Sequence, residues 1–156
     1  CQIRLINNPD IKISSFMKHL LLLAVLFMSF STTAQSIFGK WESRDEKTNN
    51  VDSVVEVYEK DGKAYAKIVG ITDKVKKEAL CVLCEDENKN KPILGMDILT
   101  GLSKDNDEWS GGKILDPRNG KIYKCYIKLV NKNKLKIRGY IGVSLFGKTA
   151  YWHRSK

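Results

Sequence analysis

The chain has 156 residues, 42% of them hydrophobic, and a formal net charge of +9. This length supports one domain with a modest core and excludes two ordinary domains. The basic surplus favours acidic partners. Lysines that alternate along strands, as Lys121, Lys124 and Lys128 do, are usually the solvated outer face of a sheet, and contact with an envelope lipid or a polyanion is the alternative.

An export signal comes first in chain order. Met17-Lys18-His19 is a basic start, the apolar run 20–30 follows, and the small residues Thr32 and Ala34 suit cleavage before Gln35. The apolar run is shorter than the roughly 20 residues that span a bilayer, which argues against a membrane anchor. We therefore predict a secreted protein, periplasmic or extracellular, that does not span a membrane and has no nucleic-acid partner.

This signal divides the chain into three parts. Residues 1–16 show no periodicity and are interpreted as an upstream extension that is not native, and residues 17–34 as the signal peptide. Residues 35–156 are expected to fold as a single domain. Three of the 27 basic and one of the 18 acidic side chains precede residue 35, so this domain keeps 24 and 17, a net charge of +7.

Within residues 35–156 the apolar pattern has a period of two and turn residues recur at short intervals, which indicates antiparallel strands. Asp61-Gly62 is a strong two-residue hairpin signal between the second and third strands. The pattern predicts eight strands, over 37–44, 53–60, 63–72, 93–102, 108–115, 121–130, 134–142 and 148–154. Joined mainly by hairpins, they can close into an up-and-down barrel, which removes exposed sheet edges.

The connection between the third and fourth strands, 73–92, is the only long one. Its start, 74–80, could form a short helix over one end of the barrel. Loops of this length are often functional.

The same connection holds Cys81-Val82-Leu83-Cys84. In an exported protein, two cysteines at this spacing most simply form a local disulfide. A redox-active pair and a zinc site are the alternatives, although the first lacks a strand that feeds a helix and the second lacks two nearby ligands. Cys125 falls on an inward face and is expected to be a free, buried thiol.

The interior of an eight-stranded barrel holds packed side chains or one small ligand. Strict alternation along the strands places small residues, such as Gly70, among large ones on the inner wall and leaves open which of the two applies. The candidate ligand-contacting residues on this wall are Trp41, Ala66, Ile68, Tyr123, Ile127, Ile137 and Gly139.

Residues for catalysis are scarce. His153 is the single histidine of residues 35–156, which excludes a metal site with two histidines and leaves a serine triad dependent on one outward-facing side chain. The acidic stretches 85–87 and 105–108 lack the glycine and downstream glutamate of an EF-hand and are interpreted as solvated turns. We therefore expect no enzymatic activity, no catalytic residue, no metal site and no cofactor.

The two ends of the domain resemble the closed end of lipocalin-type barrels. In that type, a Gly-x-Trp on the first strand lays an indole across the barrel floor, and an arginine near the end of the last strand packs on it. Gly39-Lys40-Trp41 matches the first element, and Trp152 with Arg154 matches the second. The resemblance implies a floor formed by Gly39, Trp41, Trp152 and Arg154.

Longer stretches are similar to an exported bacterial family known as domain of unknown function 2147. Besides the residues at the two ends, the similar stretches run in order over 90–95, 108–117, 119–123, 135–142 and 145–149. Cys81 and Cys84 match a Cys-x-x-Cys variant of this family. The resemblance implies a secreted single domain with a calycin-like barrel, and it brings no activity and no catalytic residue.

Two functional classes fit this sequence. The first is a carrier or sensor of a small apolar or amphipathic ligand in the periplasm, with the barrel as a cup and the loop 81–92 as its rim or lid. The second is a non-enzymatic structural or interaction module of the envelope with a filled barrel. An open interior of a few hundred Å3 would distinguish the first class from the second.

Overall fold

The computed structural model describes residues 35–74 and 76–156. The signal peptide expected over 17–34 and the extension 1–16 lie outside these described residues. Gln35–Lys156 forms one compact unit. Within the described part of the chain, no helix is both long and apolar enough to cross a membrane.

Eight antiparallel strands form a closed barrel in which each strand pairs with the next and the last pairs with the first. All eight overlap the strands predicted from the alternation, so the predicted all-β, up-and-down barrel is confirmed. The strands are β1 Gly39–Arg44, β2 Val51–Lys60, β3 Lys63–Ile71, β4 Asp97–Asp105, β5 Glu108–Asp116, β6 Lys121–Asn131, β7 Lys134–Tyr140 and β8 Gly147–Arg154.

Tight turns join the strands at one end of the barrel. Asp61 and Gly62, between β2 and β3, have φ angles of 53° and 72°, the two positive values that a type I′ turn requires. Asn106 has a φ of 53° in the turn between β4 and β5, a conformation that asparagine tolerates well. Because the strands alternate in direction, these turns share one end with residues 35–38. We call it the closed end, and the opposite one the open end.

The predicted helix over 74–80 reduces to a single 3-10 turn, Lys76–Glu78. Leu80 already pairs with Pro92 in an isolated antiparallel bridge. The chain therefore leaves the helical path directly after Ala79, which leaves no room for a second turn.

The prediction that the fourth strand begins at residue 93 is wrong, because β4 begins at Asp97. The backbone N–H of Ile93 donates to the carbonyl of Ala79 at 2.9 Å, and the N–H of Gly95 donates to the carbonyl of Ile68 at 2.8 Å. These bonds hold residues 93–96 as a loop, since their backbone groups are already used by partners outside the β4 ladder.

The closed end is sealed by Trp41 and Arg154. Trp41 is fully buried on β1, and its indole N–H donates to the carbonyl of Ile37 at 2.7 Å. The guanidinium carbon of Arg154 lies 3.9 Å from the centroid of the Trp41 ring, within range of a cation–π contact. Its two terminal nitrogens donate to the carbonyls of Phe38 at 2.8 Å and Ser36 at 2.7 Å. The residues before β1 are thus held across the end of the barrel.

Above this floor the closed half of the barrel is packed with side chains. Phe38 and Trp109 meet edge to face beside the floor, with their ring centroids 5.4 Å apart. The residues with almost no exposed surface in this core include Val55, Val57, Ala64, Ala66, Leu99, Leu102, Cys125, Ile127 and Leu135. The small side chains of Ala64 and Ala66 are paired with larger ones on the neighbouring strand, Leu102 with Ala64 and Leu99 with Ala66, and all four are fully buried.

Replacing the floor tryptophan should destabilise the barrel strongly. We expect Trp41→Ala to lower the free energy of unfolding by about 3–5 kcal/mol, the range for truncation of a buried aromatic side chain. Trp109→Ala is the matched control and should cost less, because Trp109 is only partly buried. Denaturant titration of both variants measures the difference. Equal stability of the two variants would contradict the assignment of Trp41 to the floor.

Candidate functional site

A cavity of about 590 Å3 occupies the open half of the barrel. Four connections surround its mouth, those between β1 and β2, β3 and β4, β5 and β6, and β7 and β8. The inner wall of the cavity is mainly apolar and includes Ile68, Ile71, Ile98, Ile114, Leu115, Ile137, Ala150 and Trp152. The barrel is therefore filled at one end and hollow at the other.

The predicted ligand-contacting residues fall into two groups. Ile68, Tyr123, Ile137 and Gly139 line the cavity. The other three, Trp41, Ala66 and Ile127, are not among its lining residues and belong to the packed core. The structure thus corrects the predicted wall at these three positions, because alternation identifies the inner face of a strand but not the level at which packing ends.

The floor residues are also split between the two halves. Gly39 and Arg154 lie with Trp41 at the closed end, where the guanidinium of Arg154 reaches the backbone before β1. Trp152 is two residues earlier on β8, pairs with Ser43, and lines the cavity. Trp152 therefore forms part of the inner wall above the floor.

The prediction that Gly70 faces the interior is wrong because of a β-bulge. Val55 pairs with Ile68 while Val54 pairs with Gly70, so Val69 is an extra residue in β3. The bulge reverses the alternation, and Ile71 rather than Gly70 faces the cavity.

Bulges also explain the wall residues that sequence reasoning missed. On β4, Ile98 lines the cavity although its neighbour Leu99 is also buried, so no period of two is visible. Gly101 has a φ of 73° and Gly111 on β5 has a φ of 79°, angles that favour glycine and accompany irregular pairing. These glycines are the sequence signal from which the irregularity could have been inferred.

Of the two glycines that line the cavity, Gly139 is the one with room for a Cβ, because a Cβ on Gly147 would meet the Gly139 carbonyl oxygen at 2.5 Å. A Cβ built on Gly139 would lie 3.5 Å from Ile114 Cγ2 and 3.6 Å from Tyr123 Cβ, which are ordinary contact distances. Both neighbours line the cavity. A larger residue at 139 would therefore project into the cavity without a backbone clash.

Charged side chains surround the mouth and are arranged as ion pairs. The Lys148 amine lies 2.9 Å from a carboxylate oxygen of Glu46, and the Lys76 amine 3.5 Å from one of Asp52. All four residues line the cavity. The mouth thus presents both signs of charge within a few ångströms of an apolar interior.

A third pair at the mouth, between Asp116 and Arg118, is joined by two hydrogen bonds. Two guanidinium nitrogens of Arg118 donate to the two carboxylate oxygens of Asp116 at 2.9 and 3.0 Å. Burial by itself raises the pKa of the Asp116 carboxyl, but the hydrogen bonds and the charge of Arg118 outweigh it and lower the pKa. Asp116 therefore stays ionised well below neutral pH and keeps its negative charge at the mouth.

The disulfide predicted between Cys81 and Cys84 is present, and both cysteines are buried. Cys81 Sγ lies 3.5 Å from the carbonyl oxygen of Pro117, in the turn between β5 and β6. The same connection supplies Ala79 and Ile93 to the cavity lining. The disulfide thus fixes one segment of the rim against the neighbouring turn.

Cys125, on β6, is the one free cysteine of residues 35–74 and 76–156, and it is fully buried. Burial raises the pKa of its thiol to about 12. A thiol in this state is a weak nucleophile near neutral pH, because the thiolate is the reactive species. Its place in the packed core is that of a small apolar side chain.

Metal-binding residues do not converge in the part of the chain that the structure describes, where no group of three His, Cys, Asp or Glu side chains could hold an ion. His153 alternates with Trp152 and Arg154 on β8 and so faces away from the interior.

A second, more polar groove of about 520 Å3 lies on the outside of the barrel. The rings of Tyr58 and Tyr65 stack there with centroids 5.7 Å apart, and the Tyr58 hydroxyl donates to Asp97 at 2.8 Å. Burial, and then this bond to the carboxylate, raises the pKa of Tyr58 to about 12. The bond ties the outer face of β2 to the first residue of β4.

Comparison with known proteins agrees with this geometry. The model of a family described as "Uncharacterized protein conserved in bacteria (DUF2147)" matches residues 39–154. Among solved structures, protein HP1028 from the human pathogen Helicobacter pylori, described as belonging to the lipocalin family, is similar with a TM-score of 0.67 and 23% sequence identity, covering 78% of this chain and 84% of that one. At this identity the likeness shows the fold alone. A search of curated proteins gives no match.

The contact between the disulfide segment and the β5–β6 turn can be tested with two glycines. A Cβ on Gly120 would overlap the backbone of Leu83, whereas a Cβ on Gly62 would meet nothing. Both glycines have nearly the same positive φ, 71° and 72°, so Gly120→Ala and Gly62→Ala share the same backbone strain of about 1–2 kcal/mol. We expect Gly120→Ala to lower the free energy of unfolding further than Gly62→Ala. Equal losses in denaturant titration would show that the two segments do not pack together.

The thiol of Cys125 should be unreactive in the folded protein. We expect a thiol reagent at slightly alkaline pH to leave Cys125 unmodified in the native state and to modify it after denaturation, as mapped by peptide mass spectrometry. Cys81 and Cys84 should react only after reduction. Native labelling of Cys125 would contradict its burial, and labelling of Cys81 or Cys84 without a reductant would contradict the disulfide.

Proposed function

The chain belongs to the family of uncharacterized bacterial proteins DUF2147, and from its hollow barrel we propose that it binds one small apolar or amphipathic ligand. The observation that carries this proposal is the cavity of about 590 Å3 in the open half of the barrel. Sites for small molecules usually enclose about 300–1,000 Å3 and are lined by apolar side chains with a few polar groups.

The inner wall of the cavity favours an apolar group of the ligand. Ile68, Ile98, Ile114 and Ile137 come from four different strands and face the same space, together with Trp152. Moving a ligand from water into such surroundings gains about 25 cal/mol for each Å2 of apolar surface buried. A hydrocarbon chain or a ring system therefore suits this interior better than a polar metabolite does.

The mouth favours a polar group at the outer end of the same ligand. Lys76, Arg118 and Lys148 supply cations there, and Glu46, Asp52 and Asp116 supply carboxylates. Because all six are already paired as three ion pairs, a ligand headgroup would exchange hydrogen bonds with them rather than neutralise an isolated charge. An amphipathic molecule with its apolar end inward matches both parts of the site.

We place this binding activity outside the cytoplasm. The signal-like segment over 17–34 supports export. The disulfide between Cys81 and Cys84 is consistent with it, since disulfides persist mainly in oxidising compartments. The role we propose is that of a carrier or sensor, because the cavity wall is mainly apolar and its charged residues at the mouth are already paired with each other.

Ligand titration tests the proposal directly. We expect long-chain fatty acids or apolar fluorescent probes to bind the wild-type protein and to raise its thermal midpoint, because a ligand at about 100 times its Kd stabilises the folded state by about 2.7 kcal/mol. Gly139→Leu should abolish binding and leave the fold intact, since its side chain would enter the cavity from a wall position with ordinary contact distances.

Lys136→Leu is the matched control for this variant. It adds the same side chain to β7, but at a position that alternates with Ile137 and faces outward, so binding should be unchanged. If the wild-type protein takes up no ligand from a broad apolar panel, the carrier function is rejected and a non-enzymatic interaction module replaces it. Equal binding by Gly139→Leu and the wild type would place the ligand outside the cavity.

A further inference from the structure

The connection between β7 and β8 exposes four large apolar side chains in a run of six residues. The exposed fractions are 70% for Ile141, 58% for Val143, 77% for Leu145 and 72% for Phe146. Single exposed apolar residues are ordinary on protein surfaces, but a cluster of this kind usually marks an interaction site. We call residues 141–146 the apolar loop.

Hydrogen bonds hold the backbone of the apolar loop in a defined conformation. Arg138 on β7 donates through Nε to the carbonyl of Ser144 at 2.7 Å and through one terminal nitrogen to the carbonyl of Leu145 at 3.1 Å. Its other terminal nitrogen donates to the Thr149 hydroxyl at 2.7 Å, and the Ile141 N–H donates to the Phe146 carbonyl at 3.2 Å. Much of the loop's backbone is therefore satisfied internally while its side chains point outward.

A basic surface extends from this loop along the outside of the barrel toward the closed end. Strands β6, β7 and β8 contain no aspartate or glutamate. Two carboxylates reach these strands from neighbouring connections, where Glu46 pairs with Lys148 and Asp107 pairs with Lys128. The basic side chains on the outer positions of β6 and β7 are Lys124, Lys128, Lys134, Lys136 and Arg138.

Tyrosines are interleaved with these cations. The Lys134 amine lies 4.3 Å from the centroid of the Tyr151 ring, and the Lys136 amine lies 5.5 Å from that of Tyr126. Rings with a polar tip are common where a protein meets the headgroup layer of a membrane. We call the outer surface of β6, β7 and β8 the basic face.

We infer that the apolar loop and the basic face together dock the protein on an anionic lipid bilayer. The loop would insert its side chains among the acyl chains while the lysines contact headgroup phosphates, an arrangement in which apolar burial and electrostatic attraction add. A soluble polyanion would pair with the lysines of the basic face but would leave the side chains of the apolar loop in water. A second copy would bring two basic faces together in a domain whose net charge is +7, from 24 basic and 17 acidic side chains.

Docking in this way brings the β7–β8 side of the cavity mouth to the bilayer surface. Ile141 and Phe146 belong to both the apolar loop and the cavity lining, so apolar surface continues from the loop tip into the barrel. A lipid-like ligand could move between bilayer and cavity with little exposure to water. This consequence rests on the proposed function, whereas the docking itself does not.

Vesicle flotation of the purified protein tests the inference. We expect binding to vesicles of phosphatidylcholine mixed with phosphatidylglycerol, weakening as salt is raised, and much weaker binding to phosphatidylcholine alone. The double variant Leu145→Ser with Phe146→Ser should lower the partition coefficient at least about tenfold, since it removes two inserted side chains. Lys134→Gln and Lys136→Gln should each lower it about fivefold on the anionic vesicles, the fold-change for one basic residue near such a surface.

Two control variants distinguish docking from unfolding and from nonspecific adsorption to the vesicles. Val69→Ser removes a 37% exposed apolar side chain from β3, which lies across the barrel from β7, and Lys60→Gln removes a cation from the β2–β3 hairpin. Both variants should bind vesicles as the wild type does. All the substituted side chains are at least partly exposed, so thermal midpoints should stay close to that of the wild type. Phe146→Trp should add fluorescence that brominated lipids quench.

Three outcomes would overturn the inference. One is that the loop double variant binds anionic vesicles as tightly as the wild type, and another is that the wild type does not bind them. The third is self-association of the wild type that the double variant abolishes, which would assign the apolar loop to a second copy of this chain. Gly139→Leu should bind vesicles normally, so a failure of the proposed ligand binding and a failure of docking give different results.

Discussion

The contact between Arg154 and Trp41 is the interaction on which the barrel depends. The first and last strands pair through only three residue positions, Trp41 with Arg154, Glu42 with His153 and Ser43 with Trp152. Arg154 reinforces this short seam by lying on the indole and by bonding to carbonyls of residues 36, 38 and 132. One side chain therefore joins β8, the segment before β1 and the β6–β7 turn, which closes both the sheet and its end.

Side chains fill the closed half of the barrel, so the candidate ligand site lies in the open half. Small residues occur in both halves of the barrel, but they border open space only in the open half. Ala64 and Ala66 face leucines of β4 and sit in a filled core, whereas Gly139 faces Ile114 and Tyr123 across ordinary contact distances and borders open space. The cavity therefore depends on which residues face each other inside the barrel. Its mouth is surrounded by the four connections at the open end.

Sequence patterns predicted the barrel well because its determinants are local. Alternation along each strand and positive-φ turn residues such as Gly62 are visible without any tertiary information. The bulge at Val69, the displaced start of β4 and the depth of the core were not predicted, since each depends on hydrogen bonds or packing between distant segments. The resemblance to lipocalin-type barrels grouped Gly39, Trp41, Trp152 and Arg154 as a floor, whereas in the structure Trp152 lines the cavity and the other three lie at the closed end.

Native mass spectrometry of the protein purified from its own cell envelope would show whether the open half of the barrel holds a ligand. We expect a discrete additional mass from one apolar or amphipathic molecule, present on the wild-type protein and absent from the same preparation of a variant whose cavity is filled. A wild-type spectrum that shows only the bare protein, under conditions that keep non-covalent complexes intact, would contradict this expectation.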